Sequence, residues 1–196
     1  MLYKPNKGYR KSFSLHGESP KSLQWKNYKS AANRYREIIA DLDIDGKSVL
    51  DVGCGMGDLL PYLYSKTNNF DYLGVDIVPE FIEVAKKRYE GHDFRILNPF
   101  KEEMAEKFDV IVLCGALNAN KNNWLNERFQ KVSKLYSLAN EEVVFNMAGG
   151  FGEIPIDERV AYARIPEVID FCSTLSSRII LRAHYNSRDF TVLLFK

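Results

Sequence analysis

Three glycines at alternate positions, Gly53, Gly55 and Gly57, stand in the sequence Val-Leu-Asp-Val-Gly-Cys-Gly-Met-Gly. Glycine has no Cβ atom, so this segment can turn sharply and its backbone can come close to a ligand. The residues just before it, 48–52, have the β-branched composition of a short buried strand. The spacing therefore predicts a ligand site where a strand ends and a helix, expected over residues 58–65, begins.

Two aspartates add chemistry to this loop. Asp51 lies two residues before Gly53, and Asp76 ends the next predicted strand, 19 residues after Gly57. A carboxylate at position 51 suits a cationic amino-acid ligand and would repel a pyrophosphate. Asp76 can accept hydrogen bonds from both hydroxyls of an adenosine ribose, like the acid of dinucleotide-binding folds. Asp58 stands where a dinucleotide fingerprint has its last glycine, and we expect it to cap the following helix.

The elements that must position these residues follow from the alternation of short β-branched runs with helical patterns, which is typical of βαβ units. Strands are predicted over residues 48–52, 70–76, 93–97, 108–114, 142–147, 177–183 and 189–195. Helices are predicted over residues 24–40, 58–65, 79–89, 123–138 and 165–175. Only five residues separate the last two strands, which is too few for a parallel crossover. The last strand is therefore expected to run antiparallel to its predecessor.

The loop, the acidic strand end and the final hairpin resemble the class I S-adenosylmethionine-dependent methyltransferases. Residues 49–57 match the first motif of that family, 72–76 the acidic motif and 108–114 the fourth strand. The resemblance implies the Rossmann-like methyltransferase fold, an α/β three-layer αβα sandwich with a seven-stranded, mostly parallel sheet and an antiparallel last strand. It implies methyl transfer from S-adenosyl-L-methionine, with S-adenosyl-L-homocysteine as the product. Residues 41–196 would form this cofactor domain, and residues 1–40 an N-terminal extension on the lid and substrate side.

The cofactor-binding residues implied by this resemblance lie at the glycine loop and at the carboxyl ends of the first four strands. They are Asp51, Gly53, Cys54, Gly55, Gly57, Asp76, Ile77, Asn98 and Cys114. Asn98 stands where the family often has Asp or Asn against the adenine amino group. The backbone of Cys114 faces the methionine half of the cofactor. The side chains of Cys54 and Cys114 are expected to pack as small apolar groups.

A looser resemblance extends to a group of small bacterial methyltransferases of unassigned substrate, over most of residues 20–196. Those proteins tend to have a Gly-Trp pair, a Gln directly after a Ser, and an Arg-Phe pair. In this chain Gln24 replaces the glycine, Ala31 the glutamine and Tyr35 the phenylalanine. This group names no methyl acceptor.

Catalytic candidates come from the segments expected at the ligand edge of the sheet, which include the hairpin turn 184–188. Methyl transfer from a sulfonium depends largely on holding the reacting atoms in line, and a base is needed only if the nucleophile arrives protonated. His184 and His16 are the candidate bases, with Tyr185 as a hydrogen-bonding orienter.

Three aromatic residues near the start of the chain have two open interpretations. Trp25, Tyr28 and Tyr35 either wall an apolar acceptor pocket or pack the leading helix on the sheet. Tyr28 is also a candidate orienter of the acceptor.

Charge is unevenly distributed along a chain whose net charge is +1. Residues 1–36 hold nine Lys or Arg and one acid, Glu18, whereas the remainder holds 18 basic and 25 acidic residues. This basic arm could attract an anionic substrate or nucleic acid, or it could be a solvated leader without a partner.

Composition is that of an ordinary globular protein, with 45% hydrophobic and 27% charged residues. Apolar runs are of strand length and fall short of the roughly 20 residues of a membrane span. The N-terminus has no apolar core of a secretory signal. The three cysteines, Cys54, Cys114 and Cys172, lack zinc-site spacing and are expected to be reduced. We expect a cytoplasmic monomer or homodimer without a metal or a membrane partner.

Four functions are compatible with these patterns. The favoured one is methylation of a small molecule at oxygen or nitrogen, because little chain is left for a macromolecule-binding domain. A second is methylation of RNA or protein, with the basic arm as docking surface. A third is a Rossmann oxidoreductase, which would bind NAD(H). A fourth is a protein that binds the cofactor without turnover.

Overall fold

The computed structural model describes residues 7–118, 124–153, 155–157 and 160–196. Its strands are β1 (Lys47–Val52), β2 (Phe70–Asp76), β3 (Asp93–Ile96), β4 (Phe108–Leu113), β5 (Ala139–Gly150), β6 (Ala163–Arg164), β7 (Ile179–Arg182) and β8 (Asp189–Phe195). Its helices are α1 (Lys7–His16), α2 (Tyr28–Ile39), α3 (Leu60–Tyr64), α4 (Pro79–Arg88), α5 (Trp124–Leu138) and α6 (Ile165–Ser173).

A single sheet with the strand order β3-β2-β1-β4-β5-β8-β7 forms the centre of the fold. Strands β1 to β5 pair in parallel, whereas β8 is antiparallel to both β5 and β7. The predicted α/β sandwich and its antiparallel last strand are thereby confirmed. The sheet differs from the predicted seven strands by β6, a two-residue strand that pairs with the end of β5.

Helices cover both faces of the sheet, because successive strand residues point to opposite sides. On one face, Leu50, Ile111 and Val143 pack with Val132 of α5 and Val168 of α6. On the other face, alternate strand residues pack with helices α2, α3 and α4. These are Val49, Val110 and Val144 of the strands, with Ile38, Leu60 and Ile82 of the helices. The three-layer arrangement is the predicted one.

Several boundaries differ from the sequence-based expectation. Helix α1 was not predicted, and the helix expected over residues 24–40 begins only at Tyr28. Strand β5 begins directly after α5 and is longer than the predicted 142–147, reaching Gly150. Residue 123, the predicted first residue of α5, lies outside the described residues. None of the helices in the described ranges is long and apolar enough to cross a membrane.

Candidate functional site

A cavity of about 350 Å³ lies at the carboxyl ends of β1, β2 and β4. This is the edge at which open α/β sheets bind their ligands. The structure brings most of the predicted cofactor residues together in its lining, namely Gly53, Cys54, Gly55, Asp76, Ile77, Asn98 and Cys114. Asp51 and Gly57 belong to the same loop and strand end but do not line the cavity.

The glycine loop is attached to the end of β2. The backbone N–H groups of Gly53 and Cys54 both donate to the Val75 carbonyl, at 2.8 and 3.1 Å. Gly53 has a φ of +75°, and a Cβ atom there would lie 2.9 Å from the Cβ of Ala116. Conformation and close packing therefore both require glycine at the floor of the cavity.

Asp76 presents a carboxylate to the cavity while only 9% exposed. Its Oδ2 accepts from the Gly55 N–H at 3.0 Å, and its Oδ1 accepts from the Val78 N–H at 2.9 Å. Burial raises the pKa of Asp76, and these backbone hydrogen bonds oppose that rise. A carboxylate offers about four lone-pair sites, so Asp76 keeps capacity for a ligand's hydroxyl groups.

Asp51 is buried behind this loop, with 2% of its surface exposed. The Tyr72 hydroxyl donates to its Oδ2 at 2.8 Å. Burial raises the pKa of Asp51 to about 7, the Tyr72 hydrogen bond opposes the rise, and the charges of Asp76 and Asp58 add to it. A cation bound near the loop would favour the ionised carboxylate.

The prediction that Asp58 caps a helix is wrong. Helix α3 begins at Leu60, and its N-cap position is Leu59, which makes no side-chain capping bond. Asp58 instead accepts from Arg88 of α4 at 3.0 Å. The carboxylate thus ties the glycine loop to α4, an interaction that short-range sequence patterns do not reveal.

Residues 7–25, which we call the lid segment, cover the cavity and contribute Tyr9, Leu23 and Trp25 to its lining. Tyr9 and Phe13 of α1 contact the ring of Phe81 edge-on, with centroids 6.1 and 5.7 Å apart. Leu23 packs so closely on the glycine loop that a Cβ at Gly55 would lie 2.8 Å from its Cδ2.

Two ion pairs attach the lid segment to α4. Arg10 lies 2.6 Å from Glu80, and Glu18 lies 2.9 Å from Arg88. Both pairs are partly exposed, so each adds at most about 1 kcal/mol to the docking of this segment.

Trp25 forms the cavity wall at the end where β4 stops. A Cβ atom at Gly115 would lie 2.5 Å from its Cη2. The Arg34 guanidinium lies over the indole, 4.9 Å from the ring centroid, and Tyr35 meets it edge-on. Trp25 and Tyr35 therefore both line the cavity and pack α2. Tyr28, by contrast, is 72% exposed.

Arg34 and Asp189 join α2 to the start of β8. Arg34 Nε donates to Asp189 Oδ1 at 3.1 Å, and its Nη2 forms a second, short contact with Oδ2. Asn186 donates to the same carboxylate at 2.9 Å. The Arg34 guanidinium also lies over the Trp25 ring. The buried Arg34–Asp189 pair therefore helps to hold Trp25, and with it the cavity wall, in position.

Asn146 of β5 supports the same wall from the other side. Its Oδ1 accepts from the Gly115 N–H at 2.6 Å, and its Nδ2 is buried with no hydrogen-bond partner among the described residues. Neither Asn146 nor Tyr9 was identified as a site residue, although Tyr9 and Phe13 have the i, i+4 spacing of one helix face.

The three catalytic candidates do not line the cavity. His184 is exposed, and its Nε2 lies 3.7 Å from Glu37. Tyr185 shares a 3.0 Å hydrogen bond with Thr191, and burial raises its pKa. His16 ends α1 on the surface. The hairpin turn itself does lie at the predicted edge, since Asp189 pairs with Ala148 near the end of β5.

Metal-ligating residues do not cluster within the described ranges. All three cysteines are free, and burial raises the pKa of Cys54, Cys114 and Cys172. Their thiols are therefore protonated near neutral pH, as expected for packing residues.

Comparison with known proteins assigns the family. A family model described as "Methyltransferase domain" matches residues 43–148, which is more than half of the chain. The inferred methyltransferase Rv1506c of Mycobacterium tuberculosis is 27% identical over 161 residues, which cover 78% of this chain and 95% of that protein. The malonyl-[acyl-carrier protein] O-methyltransferase of Acetivibrio thermocellus is 28% identical over 142 residues, covering 68% of this chain but only 48% of the enzyme.

Solved structures share the fold at low identity. Magnesium protoporphyrin IX methyltransferase from Synechocystis PCC 6803, crystallised with S-adenosylhomocysteine, has a TM-score of 0.65 at 15% identity. The match covers 86% of this chain and 82% of that one. This chain belongs to the methyltransferase domain family. The sequence-based identification as a class I S-adenosylmethionine-dependent methyltransferase is confirmed, which decides against an NAD-dependent oxidoreductase.

Proposed function

We propose that this chain transfers the methyl group of S-adenosylmethionine to an oxygen or nitrogen atom of a small-molecule acceptor. The observation that carries the proposal is the cavity of about 350 Å³, which is lined by seven of the nine predicted cofactor residues and is covered by the lid segment. Small-molecule sites in proteins begin at about 300 Å³. A cover of this kind favours an acceptor small enough to enter beneath or beside it.

The residues of the cavity fit the cofactor in chemistry as well as in size. Asp76 has acceptor capacity for ribose hydroxyls, and Gly53 and Gly55 let the backbone approach the ligand. Asn98 would face the adenine, between the apolar side chains of Leu97 and Phe100, which also line the cavity. Ile77 and Cys114 would also contact the cofactor. A cation bound near the loop would favour the ionised form of the buried Asp51.

S-adenosylmethionine supplies an electrophilic methyl group on a positively charged sulfur. The protein's own contribution is to bind and orient, since in-line positioning can supply most of the rate. Trp25, held by Gly115 and Arg34, would exclude water and define the acceptor side of the cavity. Residues 1–40 would thus form the lid and substrate side, and residues 41–196 the cofactor domain.

Methyl transfer would require a general base only if the nucleophilic atom of the acceptor is protonated. His184 and His16 would have to approach from the surface, because neither lines the cavity. Tyr185 suits donation of a hydrogen bond, since its raised pKa keeps the phenol protonated. Support for an oxygen acceptor comes from the malonyl-[acyl-carrier protein] O-methyltransferase, whose name specifies methylation at oxygen.

The proposal is tested in two steps. Calorimetry should detect binding of S-adenosylmethionine and S-adenosylhomocysteine but not of NAD(H). Methyl-labelled cofactor is then incubated with libraries of hydroxy and amino compounds, with total RNA and with denatured proteins. Label in the small-molecule fraction supports the proposal. Label in RNA or protein contradicts it, and cofactor binding without product from any library would indicate a binding protein without turnover.

A further inference from the structure

Helix α1 has two opposite faces. Tyr9 and Phe13 pack on Phe81, whereas Lys7, Lys11 and Leu15 follow one another at i, i+4 and i+8 on the opposite side. All three are exposed, and Leu15 keeps 67% of its surface accessible. We call Lys7, Lys11 and Leu15 the outer stripe. It points away from the body of the protein, on the segment that covers the cavity.

Most of the exposed positive charge on the lid segment and the residues directly after it belongs to lysines. Lys7, Lys11, Lys21, Lys26 and Lys29 are all exposed, and in the described part of the chain none has an ion-pair partner. Two of the three arginines nearby are ion-paired, Arg10 with Glu80 and Arg34 with Asp189, whereas Arg36 is exposed and donates to Asn33 at 3.3 Å. The single acid of the region, Glu18, is engaged by Arg88.

The protein is therefore electrically polarised. Residues 1–36 carry nine of the 27 basic residues and one of the 26 acids, and the rest of the chain is acidic. Such a distribution turns the basic end toward a negative surface and repels the remainder from it. The end that would face the surface is the one that covers the cavity.

We propose that the outer stripe docks the protein on an anionic lipid surface, with the lid segment facing the headgroups. The proposal differs from the sequence-based expectation of no membrane partner, and it does not depend on the identity of the methyl acceptor. Peripheral membrane binding combines basic residues with exposed apolar side chains that enter the interface. Leu15 in the stripe and Tyr28 at the start of α2 supply the apolar component.

Two features favour lipid over nucleic acid. Arginine is the residue of choice for bidentate phosphate recognition, whereas the outward charge here comes from five lysines and a single arginine, Arg36. A diffuse anionic surface attracts lysines without requiring a fixed geometry. Leu15, moreover, would gain nothing from a phosphate backbone but would leave water at a lipid interface.

The test uses flotation of the full chain with vesicles of phosphatidylcholine containing roughly 30% phosphatidylglycerol, and with pure phosphatidylcholine, at about 0.15 M salt. Each lysine near an anionic surface is worth roughly a fivefold gain in affinity. The double variant Lys7→Glu/Lys11→Glu should therefore bind at least about 25-fold more weakly. Leu15→Ser should bind roughly tenfold more weakly.

The matched control is Lys66→Glu/Lys107→Glu, which makes the same charge change at two exposed lysines before β2 and β4. These positions lie at the amino edge of the sheet, away from the lid, and the control should bind vesicles like wild type. Unchanged affinity for S-adenosylhomocysteine verifies that each variant is folded.

The results decide the proposal in either direction. Binding to the anionic vesicles alone, lost in the stripe variants and kept in the control, supports it. Absence of vesicle binding overturns it, as does equal loss in the control. Binding to a single-stranded RNA oligonucleotide that is insensitive to Leu15→Ser, without vesicle binding, would assign the stripe to nucleic acid instead.

Discussion

Asn146 and Gly115 are joined by a hydrogen bond of 2.6 Å from the glycine N–H to the asparagine Oδ1. This bond links β5 to the residues that follow β4, directly behind the position where Trp25 lies on Gly115. The other polar atom of the amide, Nδ2, is buried and has no hydrogen-bond partner in the part of the chain that the structure describes, which costs stability. A buried amide with one unpaired polar atom is more consistent with holding a ligand site in place than with packing.

Asn146→Leu should separate positioning from stability. We expect the free energy of unfolding to change by less than about 1 kcal/mol, because leucine burial offsets the lost hydrogen bond. Affinity for S-adenosylhomocysteine should nevertheless fall roughly tenfold, since the Gly115 backbone is released. In a Trp124→Phe background, Trp25 is the remaining tryptophan, and its fluorescence should shift to the red. Asn140→Leu, on the exposed start of β5, is the control. It should change neither the affinity for S-adenosylhomocysteine nor the fluorescence of Trp25.

Asp76→Ala should weaken binding of S-adenosylmethionine and S-adenosylhomocysteine by roughly an order of magnitude or more. The substitution removes a charged hydrogen-bond acceptor from the cavity, and it also releases the Gly55 and Val78 N–H groups. Asp71→Ala, on the exposed start of the same strand, should leave both dissociation constants unchanged. An unchanged constant for Asp76→Ala, measured by calorimetry, would contradict the cofactor assignment.

Gln24→Gly should stabilise the protein by up to about 1 kcal/mol. Gln24 has a φ of +61°, the only non-glycine residue of the described chain in that region, and this conformation costs about 1–2 kcal/mol for a residue with a Cβ atom. Glycine adopts this conformation without that cost. Gln130→Gly, within α5, is the matched control and should destabilise by about 1 kcal/mol. Denaturant unfolding of both variants checks the opposite signs.

Much of the core fold could be predicted from sequence, because strands β1 to β4 are short segments with β-branched and aromatic residues between clear breaks. Strand β2 and strand β8 have the predicted bounds. The glycine loop and Asp76 could also be predicted, because they are close together in the sequence. Each depends on residues fewer than 30 positions apart.

The parts that were missed depend on contacts between distant residues. Helix α1 has two apolar anchors, Tyr9 and Phe13, which pack on the distant Phe81, so its sequence alone looks like a basic arm. The cavity wall requires Arg34 to meet Asp189, 155 residues away. No periodicity or propensity encodes such a pair. Periodicity and propensity also do not encode the ion pair between Asp58 and Arg88, which Asp58 forms instead of the expected helix cap.

Asp51→Asn should change how stability depends on pH. Burial raises the pKa of Asp51 from 3.8 to about 7, so the folded state holds a proton that the unfolded state loses between about pH 4 and 7. The unfolded chain then binds fewer protons, and wild-type stability falls as pH rises through this window. Above pH 7 the ionised carboxylate costs up to about 4 kcal/mol. Asparagine cannot ionise and can still accept from Tyr72.

The variant should therefore be more stable than wild type at pH 8, and the gain should shrink as pH falls toward 5. Urea unfolding of both proteins at pH 5, 6.5 and 8 measures this difference in the free energy of unfolding. A difference that is constant across these values would show that Asp51 is already ionised at pH 5 and that its burial does not control its protonation.

Glu18→Gln should accelerate release of S-adenosylhomocysteine, because Glu18 holds the lid segment to Arg88. A partly exposed pair contributes up to about 1 kcal/mol, which corresponds to a release rate up to about fivefold higher. Salt should accelerate release from wild type by screening this pair, but it should act less on the variant. Stopped-flow fluorescence of Trp25 in the Trp124→Phe background follows the reaction. The control is Asp93→Asn, which removes an exposed partner of Arg95 remote from the cavity. Equal rates in all three proteins at every salt concentration would mean that cofactor exchange does not require the lid segment to move.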